Sequence, residues 1–104
     1  MVGITRTLTF LWFQIVYIAR MYYVYVLKSL KDGELYIGRT NDLKRRLKEH
    51  NGSKSFATSV RTPFELICYE SYKDERDAIK RENSLKLRGN ARKHLMNRIS
   101  FSLQ

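Results

Sequence analysis

The stretch Glu34–His50, written ELYIGRTNDLKRRLKEH, decides the fold of this chain. Its first residues are apolar and predict a short strand, which ends in a glycine turn. The segment Thr40–Asp42 is a helix-start signal, and Asn51-Gly52 is a helix-stop signal. The stretch therefore predicts a strand that leads directly into a helix crowded with positive charge.

The predicted helix carries its apolar and charged residues on different sides. Leu43 and Leu47 are one turn apart and predict the inward stripe. At about 100° per residue, Arg46 and His50 flank that stripe, so we expect both to point toward the protein body. The opposite side of the helix predicts a plain solvated surface, made of Lys44, Arg45, Lys48 and Glu49.

Strand signals stand on both sides of this helix. The run Tyr22–Lys28 is rich in β-branched and aromatic residues, which favours a strand. Asp32-Gly33 favours a tight turn, so this strand and Leu35–Gly38 predict an antiparallel hairpin. Residues 51–64 read as a loop, and Glu65–Ser71 predicts a third strand.

Two further helices are predicted after the third strand. Asp74 is a cap for a helix that runs through Leu87, and Asn90 is a cap for a last helix with Leu95 and Ile99 inward. The predicted fold class is α+β, with a small antiparallel three-stranded sheet flanked by helices in the order β-β-α-β-α-α.

Size and charge limit the function of the chain. Its 104 residues suit one domain with a single compact core. Lysine and arginine number 20 against 10 acidic residues, so the formal net charge is +10 and calls for a polyanionic partner. Nucleic acid is the favoured partner. Docking of the basic helix on an anionic membrane is the weakest interpretation, and we expect no stable membrane association.

The cysteine and histidine content indicates a reducing compartment. Cys68 is the single cysteine of the sequence, so the chain can form no internal disulfide and no zinc–cysteine cluster. The two histidines, His50 and His94, lie far apart in sequence, which disfavours a histidine-based metal site. We expect the protein in the cytoplasm.

The first twenty residues differ from the rest of the chain. Leu8–Ile18 is strongly apolar but shorter than the roughly 20 residues that a membrane-spanning helix needs. A regular strand pattern begins directly after Met21. We therefore interpret residues 1–20 as a loosely attached segment or an upstream extension of the reading frame, and residues 21–104 as the domain.

Glu82 is the least expected residue of the second helix. Ala78, Ile79 and Leu85 define an apolar stripe, and Glu82 falls in the middle of it. Burying a carboxylate is costly unless it is paired or binds a metal. A pair with Lys86, one turn further on, is one explanation, and a hard cation such as Mg²⁺ is the other.

Tyr25, Tyr36 and Arg46 also have two interpretations each. Most strand tyrosines are half-buried sheet aromatics, and an arginine on a helix commonly forms a surface salt bridge. Alternatively, the two hydroxyls line up beside a scissile phosphate, and the guanidinium neutralises charge that develops there.

One ordered set of motifs decides between these interpretations. Its members, in chain order, are Tyr23-Val24-Tyr25, Tyr36-Ile37-Gly38, Arg46, His50 and Glu82. The set resembles the motifs of the GIY-YIG endonucleases, most closely the small, single-domain bacterial branch. The resemblance spans Met21 to about Ile99. Tyr23 stands where the first triplet of the family has its leading glycine.

The resemblance implies a one-metal nuclease. Glu82 would hold Mg²⁺ or Mn²⁺, and Arg46 would offset charge in the transition state. Tyr25 or Tyr36, with His50 nearby, would align and deprotonate the attacking water, and the resemblance does not say which tyrosine is the base. Asn97 is the best match for an asparagine that the family carries near its C-terminus.

The predicted function is a metal-dependent endonuclease that hydrolyses DNA phosphodiester bonds and follows DNA structure rather than sequence. The alternative is a non-catalytic DNA- or RNA-binding module on the same scaffold. The pathway, repair or mobile-element biology, stays open. The predicted nucleic-acid contacts are Arg39, Lys44, Arg45, Lys48, Lys54 and Arg61.

Overall fold

The computed structural model describes residues 20–52 and 59–104, together with Leu11. The strands there form an antiparallel sheet in the order β2-β1-β3. The elements, in chain order, are β1 (Tyr22–Ser29), β2 (Leu35–Thr40), α1 (Leu43–Asn51), a 3-10 turn (Ser59–Arg61), β3 (Phe64–Tyr72), α2 (Glu75–Lys86) and α3 (Asn90–Arg98). The predicted α+β class and element order are confirmed. Apart from Leu11 and Arg20, the predicted N-terminal extension lies outside the described residues, as does Lys54.

Most helix ends follow from local side-chain chemistry. The Asp42 side chain accepts a hydrogen bond from the Arg45 N–H at the start of α1, and Asp74 accepts one from the Arg76 N–H at the start of α2. Asn90 does not cap α3 as predicted, because it is the first helical residue and the preceding glycine, Gly89, takes the extended cap position. Glycine and asparagine are both acceptable caps, and the backbone favours the glycine here.

The sheet is covered by helices on both faces. Val24, Val26 and Ile37 point to one face, and they pack against α2 and α3 in a cluster completed by Ala78, Leu85 and Leu95. Tyr25, Leu27 and Phe64 point to the other face, where α1 covers them with Leu43 and Leu47. The alternation along β1 follows from the two-residue period of a strand.

One apolar residue of α2 departs from the predicted stripe. Ala78 and Leu85, two turns apart, are buried, whereas Ile79 is 37% exposed. Ile79 is rotated about 100° from Ala78, which carries it out of the narrow contact that α2 makes with the sheet. Among the residues that the structure describes, no helix combines the length and apolar character that a bilayer crossing requires.

Candidate active site

Gly38 makes room for the side chain of Tyr25. The two residues are paired across β1 and β2, and only 1% of Tyr25 is exposed. A Cβ atom added at Gly38 would lie on the Tyr25 hydroxyl and 2.5 Å from its Cζ, closer than real Cβ contacts allow. The glycine of the second triplet therefore lets the phenol of the first triplet cross β2 toward α1.

The Tyr25 hydroxyl meets two side chains of α1. It lies 2.9 Å from Nε2 of His50, which is fully buried, and it also accepts a hydrogen bond from Arg46. A guanidinium can only donate, so the phenol keeps its own hydrogen, which it can donate to Nε2 in the His50 tautomer that carries its ring hydrogen on Nδ1. Burial lowers the pKa of His50, and the charge on Arg46 lowers it further. Both effects favour the neutral form of His50.

The phenol of Tyr25 is neutral as well. Burial raises the pKa of Tyr25, and the nearby Tyr36 and Glu82 raise it further, against the hydrogen bond from Arg46. A phenol in this state is a poor base on its own. Its proton nevertheless has a ready acceptor in His50, so the pair can pass a proton as a unit.

Aromatic rings enclose this pair. The ring of Tyr36 lies 5.1 Å from that of His50 and 6.4 Å from that of Tyr25, measured between centroids. Phe64 closes the other side, with its ring 5.9 Å from His50. Tyr36 is half-buried, so it is the more accessible of the two tyrosines.

Glu49 holds Arg46 in place. Its carboxylate accepts a hydrogen bond of 2.7 Å from Nη1 of Arg46, and this bond lowers the pKa of Glu49. Glu49 was predicted to belong to the solvated side of α1, but its side chain is 33% exposed and lies against Arg46. The predicted exposure is confirmed for the other three residues of that side, Lys44, Arg45 and Lys48. Glu49 differs because an i,i+3 partner draws it inward.

Glu82 is largely buried and is bound by two cations. Its side chain is 14% exposed, with Oε2 3.1 Å from Nζ of Lys86 and Oε1 3.4 Å from Nε of Arg39. The predicted pair with Lys86 is thus present. Arg39 also donates a 2.7 Å hydrogen bond to Glu75, one residue after the cap of α2. Arg39 therefore bridges two carboxylates of α2.

These groups meet at the edge of the sheet. Tyr25, Tyr36 and α1 lie on one face, and Arg39 points to the other face, where it reaches α2. A cleft of about 370 Å³ wraps around the edge strand β2 and joins the two faces. We call it the edge cleft, and its lining includes Tyr22, Arg39, Asn41, Arg45, Arg46 and Glu75.

The residues around Glu82 fit only a cation that takes few of its ligands from the protein. Within the described ranges, no three His, Cys, Asp or Glu side chains are grouped as metal ligands. Mg²⁺ tolerates this, because it commonly keeps several waters and binds through one or two carboxylates and a substrate phosphate. A largely buried carboxylate oxygen beside an arginine-lined cleft suits such a cation. Lys86 and Arg39 hold the same oxygens, so the cation and these side chains would compete.

A family model described as the GIY-YIG catalytic domain matches residues 21–97. The chain belongs to the GIY-YIG family. Two curated relatives support its placement among small bacterial members. A UPF0213 protein of Bacillus pumilus is 44% identical over 66 residues, which cover 62% of this chain and 66% of the relative. A UPF0213 protein of Clostridium perfringens is 43% identical over 67 residues, which cover 64% and 71%.

One solved structure is similar to this GIY-YIG domain. The solution NMR structure of a UPF0213 protein from Bacillus halodurans is 31% identical and has a TM-score of 0.48. The match covers 76% of this chain and 84% of that protein. The B. pumilus alignment spans about two thirds of that relative's length.

The GIY-YIG motif residues converge in space. Tyr25, Tyr36, Arg46 and His50 form one cluster, and the charge of Glu82 acts on Tyr25 from the α2 side. Asn97 is exposed and lines a different cleft, with Arg92 and Lys93 among its neighbours.

The predicted nucleic-acid contacts of the GIY-YIG domain fall into two groups. Lys44, Arg45 and Lys48 are exposed on α1. Arg39 and Arg61 are partly exposed and also form ion pairs within the domain. Arg61 pairs with Asp32 at 3.0 Å and stacks over a ring 5.5 Å away, that of Phe64. It fastens the hairpin turn to the segment before β3.

Sequence reasoning missed three residues of this GIY-YIG site. They are Glu49, Phe64 and Glu75. Glu75 carried a usable signal, because it precedes Glu82 by seven residues and so shares its helix face. The sequence carried no such signal for Phe64, because only the pairing of the strands brings the start of β3 close to His50.

Proposed function

We propose that this protein is a metal-dependent endonuclease that hydrolyses phosphodiester bonds of DNA. The observation that carries the proposal is the buried contact of 2.9 Å between the Tyr25 hydroxyl and His50, with Arg46 on the same oxygen. DNA binding alone requires no proton transfer. Hydrolysis does, because water must lose a proton as it attacks phosphorus.

The proton of the attacking water would pass through Tyr25. The phenol oxygen would accept from Arg46 and donate to His50, and its remaining lone pair would face a water molecule that enters this buried position together with the substrate. As water transfers its proton to this oxygen, the phenol hydrogen moves to Nε2 of His50. The net base is then a neutral imidazole rather than a phenol with a raised pKa. Tyr36, half-buried beside the pair, would orient the water.

Arg46 and Arg39 would bind the phosphate. Both line the edge cleft, from opposite faces of the sheet. A guanidinium matches the geometry of phosphate oxygens and stabilises the charge that develops on them. Arg46 is anchored by Glu49, so its position is set before DNA arrives.

Glu82 would hold the divalent cation, Mg²⁺ or Mn²⁺. Glu75 is a second carboxylate close to this position, because Arg39 pairs with both glutamates. Such a cation acts as a Lewis acid and stabilises the leaving oxygen. The exposed lysine and arginine side chains of α1 would contact the phosphate backbone of DNA, and contacts with the backbone do not read the base sequence. We therefore propose that DNA structure, rather than sequence, directs cutting. Location in the cytoplasm stays a prediction.

A second candidate function is a DNA- or RNA-binding module without catalysis. One observation favours it: Glu82 is already bound by Lys86 and Arg39, so its charge is balanced without a metal. In this case the net charge of +10 and the basic face of α1 would supply binding.

A cleavage assay separates the two functions. Wild type and Glu82→Gln, Tyr25→Phe and His50→Gln variants are incubated with branched, flap, nicked and linear DNA, in Mg²⁺, in Mn²⁺ and in EDTA. The nuclease requires cutting that depends on the metal and falls about 100-fold or more in each variant. Glu65→Gln is the matched control, because it neutralises an exposed carboxylate of β3.

Binding of the same DNA is measured by anisotropy in EDTA. If wild type binds without cutting any substrate in either metal, the nuclease is refuted and the binding module stands. If cutting persists in Glu82→Gln at the wild-type rate, Glu82 is not the metal ligand.

A further inference from the structure

We propose that a second cleft of this protein binds a single nucleobase that has left the DNA stack. The cleft lies between the start of α1 and the neighbouring ends of β1 and β3. We call it the aromatic cleft, and its lining is Tyr23, Asn41, Asp42, Leu43, Lys44, Leu47 and Tyr69, of which Asp42 is the cap of α1. The inference rests on the proposed function and adds to it the site that holds a base next to the cut.

Two tyrosines form a corner at the back of the aromatic cleft. The rings of Tyr23 and Tyr69 are 5.8 Å apart between centroids and inclined at 68°. Because the rings meet edge to face, one of them can present its face to a flat ligand while the other borders that ligand at the side. Tyr69 is 53% exposed, which is unusual for a large aromatic residue within a sheet.

The rest of the lining suits a nucleotide. Asn41 offers an amide that both donates and accepts, as a base edge requires, and Lys44 offers a cation for a phosphate. Leu43 and Leu47 make the floor apolar. The volume of about 580 Å³ falls within the range of small-molecule sites and exceeds what one base needs.

The position of Asn41 connects this cleft to the proposed chemistry. Asn41 lines both the aromatic cleft and the edge cleft, so the two are neighbours across one side chain. Tyr69 is also paired with Tyr25 across β1 and β3, which places it beside the Tyr25–His50 pair on the same face. We therefore place in the aromatic cleft the base that adjoins a phosphate bound by Arg46.

We expect the aromatic cleft to accept any of the nucleobases, because binding there depends on stacking. Every nucleobase has a π face, and stacking on an aromatic side chain contributes about 1–3 kcal/mol per base with little sequence preference. A base can reach the cleft only after leaving the helix, so the site favours DNA with unpaired nucleotides.

Equilibrium binding in EDTA tests the aromatic cleft without any cutting. The two probes are one DNA duplex with a short single-stranded overhang, and the same duplex whose overhang is abasic. Both carry the same charge, so a preference for the first measures base contacts alone. We expect wild type to prefer the base-bearing overhang by about 5- to 100-fold, and Tyr69→Leu to lose this preference. Tyr69→Phe keeps the ring and should retain it.

Two controls make the outcomes distinct. Phe101→Leu removes an aromatic ring that is 84% exposed outside the cleft, and Glu65→Gln neutralises an exposed carboxylate of β3, so both should keep the preference. Equal binding of both probes by wild type, or an unchanged preference in Tyr69→Leu, overturns the base site and leaves the nuclease intact. No binding of either probe overturns the proposed function together with the base site.

Discussion

Replacing Gly38 by alanine should destabilise this protein, against the usual effect of such a change. In a strand, alanine normally stabilises relative to glycine by about 0.4–1 kcal/mol, because the unfolded chain has less freedom to lose. At Gly38 the added methyl would fall on the Tyr25 hydroxyl, 2.5 Å from Cζ and 2.9 Å from Cε2. Tyr25 is 1% exposed and cannot move aside into solvent.

Two costs set the magnitude. Overpacking a filled core costs about 1–3 kcal/mol, and displacing the phenol leaves the buried Nε2 of His50 without a donor, which costs about 1–3 kcal/mol more. After the glycine gain is subtracted, the net loss is about 1–5 kcal/mol. A domain of this size loses about 4–8 °C of melting temperature per kcal/mol, so Gly38→Ala should melt at least about 4 °C below wild type.

The assay is thermal melting of a double-mutant cycle. Tyr25→Leu removes the ring that the methyl would strike, so Gly38→Ala should become neutral or stabilising in that background. Gly89→Ala is the matched control, because a Cβ there meets no atom within 4 Å. It should cost less than about 1 kcal/mol.

A result of the opposite kind would refute the reasoning. If Gly38→Ala melts at or above the wild-type temperature, the phenol does not occupy the space in front of Gly38. If the loss is the same with and without the Tyr25 ring, the clash is not its cause. Either outcome would show that the Tyr25 ring does not pack against Gly38. The proposed proton path, which needs the ring in that position, would then have no structural basis.

Three further predictions concern acid, metal and salt. The pKa of His50 is below its ordinary 6.5, so the unfolded chain binds that proton more readily than the folded protein does. Stability should be complete above about pH 6.5 and fall as the pH drops through the lowered pKa of the folded state, and melting curves of His50→Gln should lack this fall. Arg39→Gln removes one cation from Glu82 and should tighten Mn²⁺ binding about 2- to 5-fold in a paramagnetic resonance titration; unchanged affinity would show that Arg39 does not compete with the metal. Lys48→Gln should reduce the slope of log K for DNA against log salt by about 1, and an unaltered slope would exclude Lys48 from phosphate contact.

Local signals in the sequence were sufficient to predict the order of the helices and strands. Asp42 and Asp74 cap their helices as predicted, because a cap is a contact between residues three or fewer apart. The same reasoning failed at Asn90, where a neighbouring glycine offered an equally good end. Ile79 shows the limit of periodicity, since the width of a buried stripe depends on what the helix packs against.

The sequence by itself predicted which residues form the candidate site. The two triplets, Arg46, His50 and Glu82 stand in family order, and their types match the chemistry of a phosphodiester. Tertiary structure alone decided what each of them touches. Strand pairing puts Gly38 opposite Tyr25, 13 positions away, and so opens the path from the phenol to His50. Arg39 reaches Glu82 only because β2 is an edge strand with a helix on either face. Contacts between residues so distant in sequence depend on register and on the packing of whole elements, which no local pattern encodes.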